Sequence, residues 1–218
     1  MNKFHLFFDI DGVLLKNRTP EEMSWSKESQ ILGIDLNFIM QEFFRNHFHK
    51  VLIGKASLVS TLDNLIKPYA YNMDVEKITT IWFEKELDVN NKLFYYLNLL
   101  LKHPQVTLYV ASNQSRERAK FLLDKLKLSN IFTIMFFSAE IGLLKSTPKF
   151  FKIVKRLINV EKNSLLILFD DDINNINSAK KAGWNGYLYE NLSLFLNNIL
   201  IRKLLKELIE GNYGRIQK

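Results

Sequence analysis

Two carboxylates stand two residues apart near the start of the chain, in Phe7-Phe8-Asp9-Ile10-Asp11-Gly12-Val13. The run ahead of them, Phe4-His5-Leu6-Phe7-Phe8, is apolar and aromatic and reads as a strand covered on both faces. Side chains alternate along a strand, so Asp9 and Asp11 point the same way if that geometry persists, and Gly12 then lets the chain turn tightly. Like charges this close are costly unless a cation or a reacting phosphate sits beside them. The plain alternative is a turn at a strand end, and the pair alone does not decide between the two.

Other polar residues stand at equivalent places. The strand Val106–Ala111 runs into Ser112-Asn113, and the strand Leu165–Phe169 runs into Asp170-Asp171-Asp172. Lys145 lies on a loop just ahead of a helix start at Thr147-Pro148. In open parallel sheets ligands bind beyond the carboxyl ends of the strands, so these groups meet at one edge. Together they could run phosphoryl transfer. A carboxylate attacks phosphorus, and a second carboxyl group protonates the leaving oxygen and then deprotonates water. A hydroxyl, backbone N–H groups and a lysine hold the phosphate oxygens, and several carboxylates bind Mg²⁺.

The elements that must position these groups can be read from pattern. Between the first and second strands the chain reads as helices. Thr19-Pro20-Glu21-Glu22 has the form of a helix start, and Gly33 of a stop. Asp35 opens a helix with the stripe Leu36, Ile39, Met40, Phe43 and Phe44. Ser57 opens another through Ile66, before Pro68, and Asp74 one with Val75, Ile78, Ile81 and Trp82. A further helix runs from about 91 to 102, stopped by His103-Pro104. Strand and helix then alternate: strand 106–111, helix from Ser115 to Leu126, strand Ile134–Phe137, helix to Ile158, strand 165–169, helix Ile173–Ala182, strand Gly186–Tyr189, and one terminal helix from about Ser193. The pattern predicts an α/β fold, a Rossmann-like parallel sheet with helices on both faces. The first helical block is too long for a simple crossover. Residues 1–15 and 89–218 are expected to form a discontinuous core, and 16–88 an inserted helical domain.

Composition narrows the class. The chain has 218 residues, 47% of them hydrophobic and 17 of them Phe, enough for a sizeable aromatic core. No cysteine is present, which excludes disulfides, thiolate metal sites and cysteine nucleophiles. The net charge of +7 is scattered, which favours a basic surface over a nucleic-acid footprint and would draw in phosphorylated metabolites. No signal peptide and no apolar run of membrane-spanning length is evident, so a cytoplasmic protein without nucleic-acid or membrane partners is expected.

The motifs occur in a known order. Asp9-x-Asp11-Gly12-Val13, then Ser112-Asn113, then Lys145 with Pro148 and Phe150-Phe151, then Asp170-Asp171 with Asn175, Ala179 and Ala182-Gly183-Trp184 resemble the four motifs of the haloacid dehalogenase (HAD) superfamily. The similarity spans the core and places the helical insertion where the C1 cap of that family lies. The resemblance implies Asp9 as nucleophile and Asp11 as general acid/base, its carbonyl also touching Mg²⁺. It implies Ser112 and Asn113 as phosphate-binding, Lys145 as the neutralising cation, and Asp171 with Asp170 beside it as metal ligands. Asp172 could compete for that role or cap the next helix. Relatives often read Lys-Pro-Asp-Pro where this chain reads Lys145-Ser146-Thr147-Pro148, so the loop is expected to differ in shape. Asp11 speaks against a true dehalogenase, which needs no acid to protonate a halide. The implied activity is Mg²⁺-dependent hydrolysis of a small phosphorylated metabolite, such as a sugar phosphate, through an aspartyl phosphate, by a monomer or homodimer. A phosphomutase of the β-phosphoglucomutase type, a phospho-acceptor domain and a silent binding protein are the alternatives.

Other residues invite chemistry but read more simply. His47 and His49 do not share a helix face, and His5 lies inside a strand. Phe43, Phe44, Phe48, Trp82 and Phe83 could line a pocket but more simply form the insert's own core. The segment Leu194–Ile209, with Arg202, Lys203 and Lys206, reads as an amphipathic helix packed on the sheet.

Overall fold

The computed structural model describes residues 3–161 and 163–216. Its strands are β1 (Phe4–Phe8), β2 (Val106–Ser112), β3 (Ile134–Phe137), β4 (Leu165–Asp170) and β5 (Asn185–Leu188). They form one sheet in the order β3-β2-β1-β4-β5, with every neighbouring pair parallel. Phe8 of β1 sits opposite Val110 of β2 and Phe169 of β4, so the three strands end nearly level. This register brings Asp9, Ser112 and Asp170 to one edge.

The helices are α1 (Ser26–Leu32), α2 (Leu36–Asn46), α3 (Phe48–Leu52), α4 (Leu58–Ile66), α5 (Val75–Lys85), α6 (Asn91–Leu100), α7 (Arg116–Leu126), α8 (Ser138–Ile141), α9 (Pro148–Leu157), α10 (Ile173–Lys181), α11 (Leu192–Asn197) and α12 (Ile199–Ile216). Alternation along β1 divides the core. Leu6 and Phe8 pack with Leu93, Leu97, Leu122, Ile201 and Leu204, from α6, α7 and α12 on one side. Phe7 packs with Phe150, Phe151, Val154, Ile176 and Trp184 on the other, the side of α9 and α10. Both faces are thus covered, which is why β1 is buried along its whole length. On α12, Ile201 and Leu204 are buried while Arg202, Lys203 and Lys206 face water, as the amphipathic pattern predicts. Among the described residues, no helix is long and apolar enough to cross a membrane.

The chain leaves the sheet after Leu15, which bridges Val89, and Lys16 N–H donates to the Asp88 carbonyl at 2.8 Å. Between these points α1–α5 build their own core from Leu36, Ile39, Met40, Phe43, Leu58, Leu62, Ile66, Ile78, Trp82 and Phe83. Phe43, Phe48, Trp82 and Phe83 belong to this core, whereas Phe44 is exposed and meets the Trp82 ring edge to face; the Phe43, Phe44 and Phe48 centroids lie 5.1–6.1 Å from that of Trp82. His47 ends α2 and His49 lies on α3, and neither joins the metal-competent acidic cluster among the described residues. His5 is buried, with Nδ1 3.1 Å from the Tyr109 hydroxyl.

Three expectations about elements change. Thr19-Pro20 does not open the first helix, which starts at Ser26. Thr19 N–H donates to the Glu22 carboxylate (2.8 Å) and Glu22 N–H to the Thr19 hydroxyl (3.3 Å), a closed turn that satisfies itself. Asn37 then accepts the Trp25 N–H at 2.8 Å while the Trp25 ring is buried in the insert, drawing the chain out of the turn. The terminal helix is two, because Asn198 adopts ψ 130° and its carboxamide oxygen caps Leu200 and Ile201. The last strand is Asn185–Leu188, one residue earlier than the pattern suggests.

Candidate active site

The site begins with a lysine that has no access to water. Lys145 is fully buried on the loop between α8 and α9, and its Nζ lies 2.5 Å from Asp9 Oδ2 and 2.6 Å from Asp170 Oδ2. An unpaired ammonium there would be prohibitively costly, so the two carboxylates are what allow it to be buried. Burial alone would lower its pKa, but the attraction of Asp9 and Asp170 outweighs that and raises it. The loop is held by Asn113, whose side-chain oxygen accepts the Lys145 backbone N–H at 3.0 Å. Ser146-Thr147 therefore need not reproduce a proline-rich loop. Ser146 presents its carbonyl to the Ser178 hydroxyl at 2.6 Å, and the Thr147 side chain makes no cap hydrogen bond before Pro148.

Asp9 comes directly after β1, its N–H bonded to the Phe169 carbonyl at 3.0 Å, and it is buried. Its Oδ1 accepts the Ile10 N–H at 2.7 Å. Burial pushes its carboxyl up, to about 7, against the pull of Lys145 and with the repulsion of Asp170 and Asp11. Asp170 ends β4, fully buried, and also accepts from the Asp172 N–H (2.9 Å) and the Asn175 side chain (3.0 Å). Asp171 is exposed, and Asn17 donates to its Oδ2 at 3.2 Å. Although its surface is open to water, partial desolvation by the surrounding chain and the charge of Asp170 raise its pKa against that hydrogen bond. Asp172 caps α10 by accepting the Asn174 N–H at 2.8 Å, so of its two possible roles it takes the cap.

Carboxylate oxygens of Asp9, Asp170 and Asp171 lie within 4.8 Å of one another. Three acids against one lysine leave a surplus of negative charge. These are hard oxygen donors, the set that suits Mg²⁺. Gly12 makes room for the cluster: its φ is +72°, and a Cβ there would come within 1.9 Å of Asp171 Oδ2. Ser112 ends β2 buried, with Gln114 Nε2 3.2 Å from its hydroxyl.

Asp11 is placed differently from Asp9. Its side chain is 47% exposed. Arg118 grips it with a fork, Nη2 to Oδ1 at 2.7 Å and Nη1 to Oδ2 at 2.8 Å, and Gln114 Nε2 donates to Oδ2 at 2.7 Å. Crowding by the surrounding chain would raise its pKa even at this exposure, but these partners outweigh that and lower it. Beside Asp11 opens a cleft of about 220 Å³, also lined by Lys16, Asn17, Arg18, Met23 and Glu86.

Asp9, Asp11, Ser112, Asn113, Lys145, Asp170 and Asp171 thus gather at the carboxyl edge of the sheet. Sequence pattern did not single out Arg118, Gln114, Asn175 as a side-chain donor, Asn17 or Glu86. A signal existed for Arg118: it falls in the buried register of α7, with Ala119 and four residues before Leu122, where a charge is out of place without a partner.

A family model described as haloacid dehalogenase-like hydrolase matches residues 5–183. Among solved structures, the chain is similar to a HAD family enzyme from Bacteroides thetaiotaomicron in complex with magnesium and inorganic phosphate, with 21% identity and TM-score 0.69, covering 89% of this chain and 99% of that one. It is also similar to a predicted HAD-like family hydrolase from Porphyromonas gingivalis, with 17% identity and TM-score 0.64, covering 86% and 91% of the two chains. A 2-haloacid dehalogenase from Pseudomonas syringae aligns with 17% identity and TM-score 0.59, over 87% and 86%. At these identities the structures speak for the fold alone. No curated protein matches the sequence.

Proposed function

We propose that this chain, which belongs to the haloacid dehalogenase-like hydrolases, is a Mg²⁺-dependent phosphatase of small phosphorylated metabolites. The observation that carries the reading is the buried cradle of Asp9, Lys145 and Asp170, with Asp171 and Ser112 at the same edge. Asp9 is the nucleophile: one of its oxygens bonds to phosphorus as the bond from phosphorus to the leaving oxygen breaks. Asp11, which Arg118 and Gln114 hold ionised before substrate binds, relays to that oxygen the proton that the phosphomonoester monoanion brings in, and the leaving group departs as an alcohol. Water then attacks phosphorus, Asp11 takes its proton, the bond from Asp9 to phosphorus breaks, and inorganic phosphate leaves. Ser112 Oγ, the Asn113 N–H and Lys145 bind the phosphoryl oxygens throughout.

Asp9, Asp170 and Asp171, with the Asp11 carbonyl, are the groups that would hold Mg²⁺. The ion supplies the positive charge that lets a carboxylate approach a phosphate dianion. The magnesium and inorganic phosphate bound to the Bacteroides relative support this choice. The acid at Asp11 favours an oxygen leaving group over a halide, since a halide needs no proton. The helical insert of residues 16–88 serves as a cap, and the substrate lies between cap and core, with its leaving group in the cleft beside Asp11.

The test is a panel of phosphorylated metabolites assayed for phosphate release with and without Mg²⁺, wild type against Asp9→Asn. Mg²⁺-dependent release that collapses in the variant is expected. Equal turnover by both proteins contradicts the nucleophile, and a strict need for a sugar bisphosphate activator marks a mutase instead.

A further inference from the structure

The geometry points to Arg118 as a positioning residue that ties the acid Asp11 to the helical insert through Glu86. Asp11 precedes a glycine at positive φ. Three N–H groups from α7 and the residue before its cap hold both of its oxygens. The same guanidinium lies 2.8 Å from Glu86 Oε2, in an ion pair, and Gln114 Oε1 accepts from Nη1 at 2.8 Å. Glu86 stands just past the last residue of α5 and accepts the Trp82 indole N–H at 2.7 Å. Trp82 in turn sits at the centre of the insert's aromatic core. A continuous chain of contacts therefore runs from Asp11 through Arg118 and Glu86 to Trp82.

Arg118 suits this role chemically. It is buried, always charged and planar, and its fork matches a carboxylate. Asp11 and Glu86 both line the cleft beside the site, so one cation pins two walls of the space assigned to the leaving group. The neighbouring residues of α7 also clasp the insert. Arg116 donates to the Gly54 carbonyl at 3.0 Å, and Glu117 accepts the Leu58 N–H at 3.0 Å. Those two contacts hold the insert without touching an acid of the site. Among these three residues of α7, Arg118 alone joins the insert to Asp11. The paired contacts of Arg118 thus fix Asp11 relative to α5 as well as to α7.

The kinetic part of this inference rests on the phosphatase reading, and its structural part does not. The structural test tracks the three tryptophan indole N–H signals by NMR, assigned by substitution. Asp11→Asn is expected to shift the Trp82 signal and leave that of Trp184 in place, and the shift is expected to vanish when Arg118 is replaced by Lys. An unmoved Trp82 signal overturns the link even if the protein hydrolyses phosphate. The kinetic test compares glycerol phosphate, a poor leaving group, with para-nitrophenyl phosphate. Arg118→Ala is expected to cost about 100-fold in kcat on the first and less than about 3-fold on the second, the size of a lost acid. Glu86→Gln is expected to cost less on the first substrate in wild type and nothing further in the Arg118→Ala background. Equal losses on both substrates, or independent effects of the two substitutions, overturn the positioning role. If Arg118→Ala does not fold, Arg118→Lys, which keeps the charge and loses the fork, carries the same comparison. A Trp82 shift in a protein inactive on every phosphomonoester leaves the link standing and rejects the phosphatase reading.

Discussion

The sheet core and the helical insert bury different things. At the sheet edge Lys145 and Asp170 are fully buried, and Asp9, Ser112, Asn175 and Arg118 nearly so, each with a polar partner. In the insert, among the described residues 16–88, Thr79 is the sole polar residue that is almost wholly buried, and the interior is aliphatic and aromatic. The core therefore gives up stability to hold charges in place, while the insert is an ordinary hydrophobic cluster whose polar groups lie on its rim. Those rim residues, Lys16, Asn17, Arg18 and Glu86, are the ones that line the cleft. Placement of charge belongs to the sheet, and the shape of the space above it to the insert.

Substitutions sharpen this contrast, starting at the sheet edge. Lys145→Met should lower phosphate release by about a hundredfold to a thousandfold, as loss of a preorganised charge does. It should also destabilise the fold by roughly 3–5 kcal/mol, because two buried carboxylates lose their partner. Urea unfolding checks this, and the deficit should shrink as pH falls from 8 to 5, where Asp9 can take up a proton and relieve the surplus of negative charge. Phe43→Ala in the insert should cost a comparable ~3–5 kcal/mol, the cost of an aromatic cavity, with no pH dependence of that kind. If its deficit tracked pH as that of Lys145→Met does, the contrast would fail. Gly54→Ala attacks the join between the regions. Gly54 has φ +69°, and a Cβ would meet the Ala139 carbonyl oxygen at 2.1 Å. A loss of about 1–3 kcal/mol is expected, with faster hydrogen exchange in α3 and α4 than in β1.

The smallest effect concerns His5. Burial lowers its pKa, with Lys3 adding to this and Glu161 opposing. The native protein therefore binds fewer protons here than the unfolded chain as pH drops below about 6.5, and stability falls with it. The urea midpoint measured with Mg²⁺ should drop between pH 7 and 5.5 more in wild type than in His5→Gln. An equal drop in both would show that His5 titrates in the native state as it does when unfolded.

The two regions were also unequally legible. Buried parallel strands write continuous apolar runs, so β1, β2, β3 and β4 could be read directly, and the polar residues just past them were visible as breaks in those runs. Asp35, Ser57 and Asp74 each cap the helix that their type and spacing announced. Thr19 misled because a capping pair also closes an isolated turn, and the path of the chain beyond it is decided by tertiary burial of Trp25. The short helix α3 left no mark, since five residues carry too little periodicity. At the site, Asp9, Lys145 and Asp170 belong to a motif order, whereas Arg118 and Glu86 meet only through packing of α5 against α7.

The proposed hydrolysis stands on Asp9 taking the phosphoryl group. Its most direct test is an acid quench of the enzyme turning over a phosphomonoester with Mg²⁺, then borohydride reduction and peptide mapping. A phosphoryl group is expected on Asp9, absent from Asp9→Asn and converted by borohydride to homoserine at that position. Steady turnover with Asp9 unmodified, or a phosphoryl group on any other residue, would contradict it.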